Sequence, residues 1–277
     1  MSSLLSAYQE LAESLNDKAQ LGIYYVWMGM TLMQRENVKD SYHYLNLALK
    51  LGIEIGDQKI VSSASTWLAY TCADLGLLDE AVTHGERALE MGQSIDSAQY
   101  PYHLVLGAMG YVYWVRGECK KAGNMGEALL EYGKKHSNIR STVFGYWVKG
   151  FSFLVDGDFS SAIECNLKAV NVSADPWYTQ FPKLHLGLAY ASTGQFREAM
   201  EPLENLLSFC DRFGGETLGT PARALMGGIL VATGQMSEGL KIIEGVKQLW
   251  LENGCRWRYI NAEYVLPKLS DSCSQQT

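Results

Sequence analysis

Apolar residues recur at helical spacing along most of the chain, in paired runs that a short turn separates. In the first run of each pair, apolar side chains stand at positions i, i+4 and i+7, as Trp147, Phe151 and Leu154 do, so they share one stripe of a helix. A glycine such as Gly76 suits the left-handed residue that ends a helix, and the next run starts two or three residues later. A turn that short forces the two helices to pack antiparallel. The pattern predicts helix pairs over residues 22–52, 60–93, 100–135, 140–171, 178–212 and 218–252.

The turns of these pairs recur with a nearly constant period. They lie at residues 36, 76, 117, 157, 194 and 234, so the steps are 40, 41, 40, 37 and 40 residues. A fixed period in this range indicates helix pairs stacked into one elongated array. The first copy is degenerate, because Glu36 stands where the other five copies have glycine.

Small residues mark the places where the two helices of a pair must approach closely. In the first helices they are Gly29, Ala69, Gly110, Gly150, Gly187 and Gly227, followed one turn later by Leu32, Cys72, Tyr113, Phe153, Tyr190 and Leu230. In the second helices they are Ser41, Ala81, Ala122, Ala162, Ala199 and Gly239. This order resembles the tetratricopeptide repeat, although the period exceeds that family's norm of about 34 residues.

The resemblance implies an all-α fold, an α-solenoid that forms a right-handed superhelix. We expect about six helix pairs with a flanking helix at each end, in a single domain over residues 1–269. The polar segment 270–277 is predicted to be a disordered tail.

Composition and charge narrow the classes of partner. Of the 277 residues, 47% are hydrophobic and 19% charged, and 23 basic against 30 acidic residues give a net charge of −7. This balance argues against a nucleic acid or an anionic membrane as the partner. Arg256 and Arg258 form a small basic cluster, which we interpret as cations meeting unpaired carbonyls at a helix end. The N-terminus does not have the pattern of a signal peptide, and the most apolar stretch is too interrupted to span a membrane. The six dispersed cysteines fit free thiols in a reducing cytoplasm.

No motif for catalysis or for a cofactor is present. The sequence contains neither a phosphate-binding glycine loop nor the His-Glu-x-x-His and Gly-x-Ser-x-Gly patterns of hydrolases. Six dispersed cysteines include no Cys-x-x-Cys pair and no accompanying histidine cluster, so we predict free thiols and no metal site. The chain is therefore predicted to be non-enzymatic and to need no cofactor.

The candidate site is the concave surface, which the first helices line in the family that the chain resembles. Aromatic bulk concentrates in the middle copies, and the candidate binding residues are Tyr70, Leu104, Tyr111, Trp114, Phe144, Trp147, Phe151 and Phe181. Two interpretations stay open: the rings pack between adjacent helices, or they form an apolar trough for an amphipathic helix or apolar peptide. The groove positions carry no Lys, Arg or Asn, which argues against the carboxylate-terminated tails that chaperone-binding members hold.

The ends of the array suggest further contacts. Tyr8, Leu11 and Leu15 at one end, and Trp257, Ile260 and Tyr264 at the other, are apolar enough to meet a missing neighbour or a second copy of the chain. We therefore expect either a section of a longer polypeptide or an end-to-end homodimer.

A second resemblance concerns residues 4–17, 84–90 and 186–194. These stretches look like the long-repeat arrays of bacterial signalling proteins that carry a STAND-type ATPase with a nucleotide-cyclase or transcription-regulator domain. The leading hypothesis is a scaffold or sensor module that binds a protein or peptide partner. The alternative is a regulatory arm that contacts its own catalytic domain or a small effector.

Overall fold

A computed structural model of the chain describes residues 9–14, 17–94 and 102–260. The described residues form helices joined by turns, and no strand occurs among them. The helices are α1 Gln9–Ser14, α2 Lys18–Gln34, α3 Val38–Ile55, α4 Gln58–Leu75, α5 Leu78–Ser94, α6 Tyr102–Val115, α7 Cys119–His136, α8 Ile139–Asp156, α9 Phe159–Asn171, α10 Gln180–Ser192, α11 Phe196–Phe213, α12 Glu216–Ala232 and α13 Met236–Asn253. A further helical turn covers residues 256–260.

The described helices form an all-α solenoid of six pairs, α2–α3 through α12–α13, and this confirms the predicted fold class. Each helix packs against the next along the chain. None of the described helices combines the length and the apolarity that crossing a bilayer requires. The predicted tail, residues 270–277, lies outside the described residues.

Short polar caps and left-handed turns set the helix boundaries. Asp57 precedes α4, and its carboxylate accepts hydrogen bonds from the backbone N–H groups of Lys59 and Ile60 at 2.9 and 3.0 Å. Gly76 ends the same helix with φ of 79°, a conformation that costs glycine no Cβ clash. Helix α2 begins at Lys18, before the predicted start at residue 22, because Asp17 caps it in the same way.

The small residues sit where the partner helix approaches, as the repeat pattern predicts. A Cβ atom added to Gly187 in α10 would lie 2.7 Å from the side chain of Leu203 in α11. A Cβ atom on Gly29 in α2 would meet Leu45 of α3 at 2.5 Å. Both distances are below any ordinary carbon–carbon contact, so a side chain at these positions would separate the pair.

The array is not elongated, because its last pair returns to its first. Val38 at the start of α3 packs in one buried cluster with Ala224 of α12 and with Val246 and Trp250 of α13. Lys39 also donates from Nζ to the backbone carbonyl oxygen of Glu252, at 3.0 Å. The solenoid therefore closes on itself and encloses its concave side.

Closure also corrects the expectation that Trp257 is exposed at one end of the array. Trp257 does not face outward; its ring packs edge-on against Trp114 on the concave side, with centroids 4.8 Å apart. Leu11 and Ile260 are 52% and 47% exposed. Tyr8, Leu15 and Tyr264 lie outside the described residues.

Candidate functional site: an aromatic cavity on the concave side

The concave side holds a cavity of about 310 Å³ to which every first helix contributes. Its walls come from α2, α4, α6, α8, α10 and α12, and Trp250, Trp257 and Arg258 of the last unit complete it. The wall is almost entirely apolar. The cavity lies where the i, i+4, i+7 stripes of successive first helices converge.

Seven of the eight predicted site residues line this cavity: Tyr70, Leu104, Tyr111, Trp114, Phe144, Trp147 and Phe181. Phe151 does not reach it. The Phe151 ring is fully buried behind Trp114 and Trp147, with centroids 5.4 and 5.1 Å away.

The aromatic stripe contains rings that pack between helices and rings that face the cavity. Phe144 and Trp147 are only 2% and 3% exposed, and their rings contact Phe181 across neighbouring first helices, so they pack as core. Trp114 is half-buried and presents ring surface to the cavity. The rings thus pack between helices and form an apolar wall at the same time.

Five further aromatic residues line the cavity and were not among the predicted site residues: Trp67, Trp177, Tyr178, Trp250 and Trp257. With Trp114 and Trp147 they place six of the chain's seven tryptophans on the wall. Trp177 and Tyr178 lie in a turn that replaces the predicted first residues of the fifth pair. Their backbone N–H groups donate to the carboxylate of Asp175 at 3.0 and 3.3 Å, and this holds the two rings toward the cavity.

Trp250 and Trp257 reach the wall only because the solenoid closes. Trp250 stands on a second helix, whose side chains the repeat pattern assigns away from the groove, and Trp257 belongs to the flanking segment. No local signal in the sequence indicates these positions. Trp67 could have been found, since it stands three residues before Tyr70 on the same helical stripe.

At the edge of the cavity, a buried cluster of charged residues joins the last unit of the solenoid to the first two units. We call these residues, Glu36, Asp74 and Arg258, the closing cluster. Arg258 donates from Nη1 to Glu36 Oε1 at 2.8 Å and from Nη2 to Asp74 Oδ2 at 2.9 Å. It also donates to the carbonyl oxygen and hydroxyl of Thr217, at 2.5 and 2.8 Å. The interpretation of Arg258 as a helix-end cation is therefore wrong, because its partners are buried carboxylates from the first two units.

Both carboxylates accept hydrogen bonds from further side chains. Tyr111 donates its hydroxyl proton to Asp74 Oδ1 at 2.6 Å, which ties a cavity-lining ring to the closing cluster. Thr220 and the Trp250 indole donate to Glu36 Oε1 at 2.5 and 3.2 Å. A buried charge group held by several hydrogen bonds in this way is geometrically fixed.

Glu36 explains why the first copy departs from the repeat. Its φ of 58° is the left-handed turn conformation that the later copies give to glycine. The backbone tolerates it less readily, but a glycine would have no carboxylate for Arg258. Burial raises the pKa of Glu36, and the Arg258 charge pulls it back. For Arg258, burial lowers the pKa, but Asp74, Tyr111 and Glu36 outweigh burial and hold it well above its ordinary value.

Two buried histidines lie among the aromatic residues around the cavity, and both are neutral near pH 7. The indole N–H of Trp147 donates to His185 Nδ1 at 2.9 Å, so Nδ1 is the acceptor and the ring proton belongs on Nε2. His103 Nε2 lies 3.3 Å from the Tyr178 hydroxyl. Burial lowers the pKa of each histidine to about 4. Among the described lining residues, the only formal charge near neutral pH is therefore Arg258, which two carboxylates neutralise.

Comparison with known proteins supports the fold and leaves the family open. No protein-family model matches the chain, and no curated protein sequence matches it significantly. A solved Rap protein, complexed with competence and sporulation factor, aligns with a TM-score of 0.73 and 12% identity over 98% of this chain and 81% of its own. BtubC of P. vanneervenii aligns with a TM-score of 0.55 and 15% identity over 77% of this chain and 91% of its own. A thermophilic TPR protein of Thermus thermophilus aligns with a TM-score of 0.51 and 21% identity over 74% of this chain and all of its own. The chain has a TPR-type fold.

Proposed function

We propose that the chain is a non-enzymatic binding module that takes an apolar segment of a protein or peptide partner into the aromatic cavity. The observation that supports this proposal is a concave cavity of about 310 Å³ walled by aromatic and aliphatic side chains, with its single cation neutralised. A wall of this chemistry favours apolar side chains over charged ones, because a charged group would lose its hydration there without gaining a counter-ion.

The volume favours a short segment. Ligand cavities span roughly 300–1,000 Å³, so this one is at the small end and accommodates a few side chains rather than a whole helix. The Rap neighbour, which was solved with its factor bound, shares this overall fold over nearly all of the present chain. A protein of this fold has therefore been solved with a partner bound, which supports a binding role for the present chain.

The half-buried rings are the expected anchors. Trp177 and Trp257 line the cavity with part of their surface free, whereas Trp147 is 3% exposed and Tyr111 8% exposed, so both pack as core. Truncating a tryptophan anchor in a binding site commonly costs at least ~2 kcal/mol, which is about a 30-fold loss of affinity. We therefore assign the anchoring role to Trp177 and Trp257 rather than to Trp147 and Tyr111.

Displacement of a neutral apolar fluorophore, N-phenyl-1-naphthylamine, tests the proposal. Capped peptides rich in Leu and Phe should displace the fluorophore from the protein, and peptides of equal length with Glu or Lys at alternate positions should displace it far less. Trp177→Ala and Trp257→Ala should weaken peptide binding by about 30-fold or more. Trp27→Ala is the matched control, because Trp27 is 49% exposed and is the tryptophan that does not line the cavity.

A cavity-filling variant provides the second arm. Leu188 lines the cavity and is half-buried, so Leu188→Trp should occupy the space and remove both fluorophore and peptide binding. Leu251→Trp makes the same replacement at a 57% exposed position and should bind as the wild type does. Binding unaffected by Leu188→Trp would show that the cavity is not the site. If the fluorophore binds but no peptide displaces it, the ligand of the cavity is a small apolar molecule and not a peptide.

A further inference from the structure

Outside the cavity, the second helix pair brings three potential metal ligands together. The three residues are Cys72 of α4 and Glu80 and His84 of α5. The cysteine sulfur, a carboxylate oxygen and a ring nitrogen lie within 4.8 Å of one another. Cys72 is fully buried, His84 is half-buried, and Glu80 is exposed to solvent. The cluster therefore has a buried floor and an open side through which an ion could enter.

One atom of this cluster lacks a partner. The Nδ1 atom of His84 is buried and makes no hydrogen bond to any described residue. A buried imidazole nitrogen without a partner costs free energy, and a bound cation would satisfy a nitrogen lone pair. Sequence reasoning missed this arrangement, because the search for metal ligands relied on closely spaced cysteines. Glu80 and His84 are one helical turn apart, and only packing of the helix pair adds Cys72.

We propose that Cys72, Glu80 and His84 form a zinc site with three protein ligands and one open position. Thiolate, imidazole and carboxylate are the ligands that Zn²⁺ takes in proteins, usually in a tetrahedron. A thiolate and a carboxylate also balance the two positive charges of the ion, so the occupied site is electrically neutral. Bonds of about 2.0–2.3 Å place tetrahedral ligands roughly 3.4–3.7 Å apart, so ligand atoms that lie within 4.8 Å of one another need approach by at most ~1.4 Å. The exposed Glu80 side chain can move its carboxylate toward the other two ligands.

Tyr42 of α3 orients the carboxylate. Its hydroxyl donates to Glu80 Oε2 at 3.0 Å, which leaves Oε1 free to bind the ion. Outer hydrogen bonds of this kind hold a ligand in its binding position. Tyr42 is thus a positioning residue of the proposed site.

Metal binding is coupled to loss of the thiol proton. A cysteine thiol is protonated near neutral pH when no cation is bound to it. On binding, the S–H bond breaks, its proton leaves to the buffer, and the sulfur electron pair forms the Zn–S bond. No oxidation or reduction takes part.

Titration of the full-length, reduced protein with cobalt tests the proposal. Co²⁺ substitutes for Zn²⁺ and reports a bound thiolate through a sulfur-to-cobalt charge-transfer band in the near ultraviolet. We expect this band to saturate at one ion per chain and to disappear when Zn²⁺ is added. Cys72→Ala should remove the band. Cys165→Ser changes a half-buried cysteine near Lys149 and Lys168 and should leave the band intact.

Substitutions of the two less buried ligands test the proposal even if the Cys72 variant does not fold. Glu80→Gln and His84→Gln alter less buried positions and should each weaken zinc binding at least tenfold. Tyr42→Phe should weaken it by ~10- to 100-fold, the usual range for an outer hydrogen bond. A missing cobalt band, or one that persists in the Cys72 variant, would overturn the proposal, as would unchanged zinc affinity in the Glu80 and His84 variants.

Discussion

Replacing Arg258 with methionine should destabilise the protein more than any surface ion-pair change of the same kind. Methionine fills similar space but donates none of the five hydrogen bonds that the guanidinium makes to Glu36, Asp74 and Thr217. Two buried carboxylates would then face each other without a cation. Removing one partner of a buried ion pair typically costs ~3–5 kcal/mol of unfolding free energy, and we expect Arg258→Met to lie in that range.

The loss should depend on pH in a defined direction. In the wild type, burial raises the pKa of Glu36 above 4.5 and Arg258 opposes that rise, so the variant's Glu36 pKa must be higher still. A carboxyl with a raised folded pKa penalises folding fully above that pKa, and the penalty vanishes below the unfolded value. The difference between wild type and variant should therefore be largest near neutral pH and shrink toward pH 4.5. Adding Glu36→Gln to the variant should recover part of the loss, because a neutral amide costs less to bury.

Urea unfolding followed by circular dichroism measures these differences. Arg223→Met is the matched control, because Arg223 pairs with Asp211 at 2.7 Å while both side chains are well exposed. Exposed pairs contribute only ~0–1 kcal/mol. Equal losses for the Arg258 and Arg223 variants, or an Arg258 loss that does not change with pH, would refute the assignment of Arg258 as the residue that closes the solenoid.

The helix contacts and the buried histidines support two further predictions. Gly187→Leu should lower the free energy of unfolding by ~1–3 kcal/mol, because the new side chain overpacks against Leu203. Gly245→Leu should raise it by ~0.5–1 kcal/mol, because Gly245 is an exposed helical position with open space around it. Urea unfolding distinguishes the two opposite changes. In the folded protein His103 and His185 have a pKa of about 4, below the value of 6.5 for the unfolded chain. The two histidines therefore do not affect stability above pH 6.5, but they destabilise the fold increasingly as the pH falls from 6.5 to 4, because the unfolded chain binds protons that the folded protein does not. The wild type should therefore lose up to ~1.4 kcal/mol per histidine per pH unit in that window relative to a His103→Gln/His185→Gln variant, and parallel pH profiles would contradict this.

The helix pairs were predictable because their determinants are local. A glycine in the left-handed conformation, a cap such as Asp57 and a small residue such as Gly187 each act within one helix pair, and each is visible as a repeated residue type. The same locality made the first-helix stripe a sound prediction of the cavity wall. Seven of eight candidate residues lie on it, and Phe151 misses it only because its ring turns behind Trp114.

Closure was not predictable, because it depends on the summed curvature of six pairs. A small change in rotation per pair decides whether residue 258 meets residue 36 or lies far from it, and no repeated position encodes that rotation. Trp257 and Arg258 therefore appeared to belong to an exposed end. The metal-ligand cluster was missed for a related reason, since Cys72 joins Glu80 and His84 only across a packed helix pair.

The departures from the repeat nevertheless identify where the solenoid closes. Glu36 occupies a left-handed turn that glycine would adopt without strain, and Asp74 places a buried carboxylate where the next two copies have Val115 and Val155. Each departure alone costs stability, through backbone strain in one case and burial of a charge in the other. Both converge on Arg258, and through Tyr111 on the wall of the cavity. Because a uniform array needs neither residue, their shared contact with Arg258 marks the point at which the ring closes, and closure is what gives the cavity Trp250 and Trp257 as its last wall.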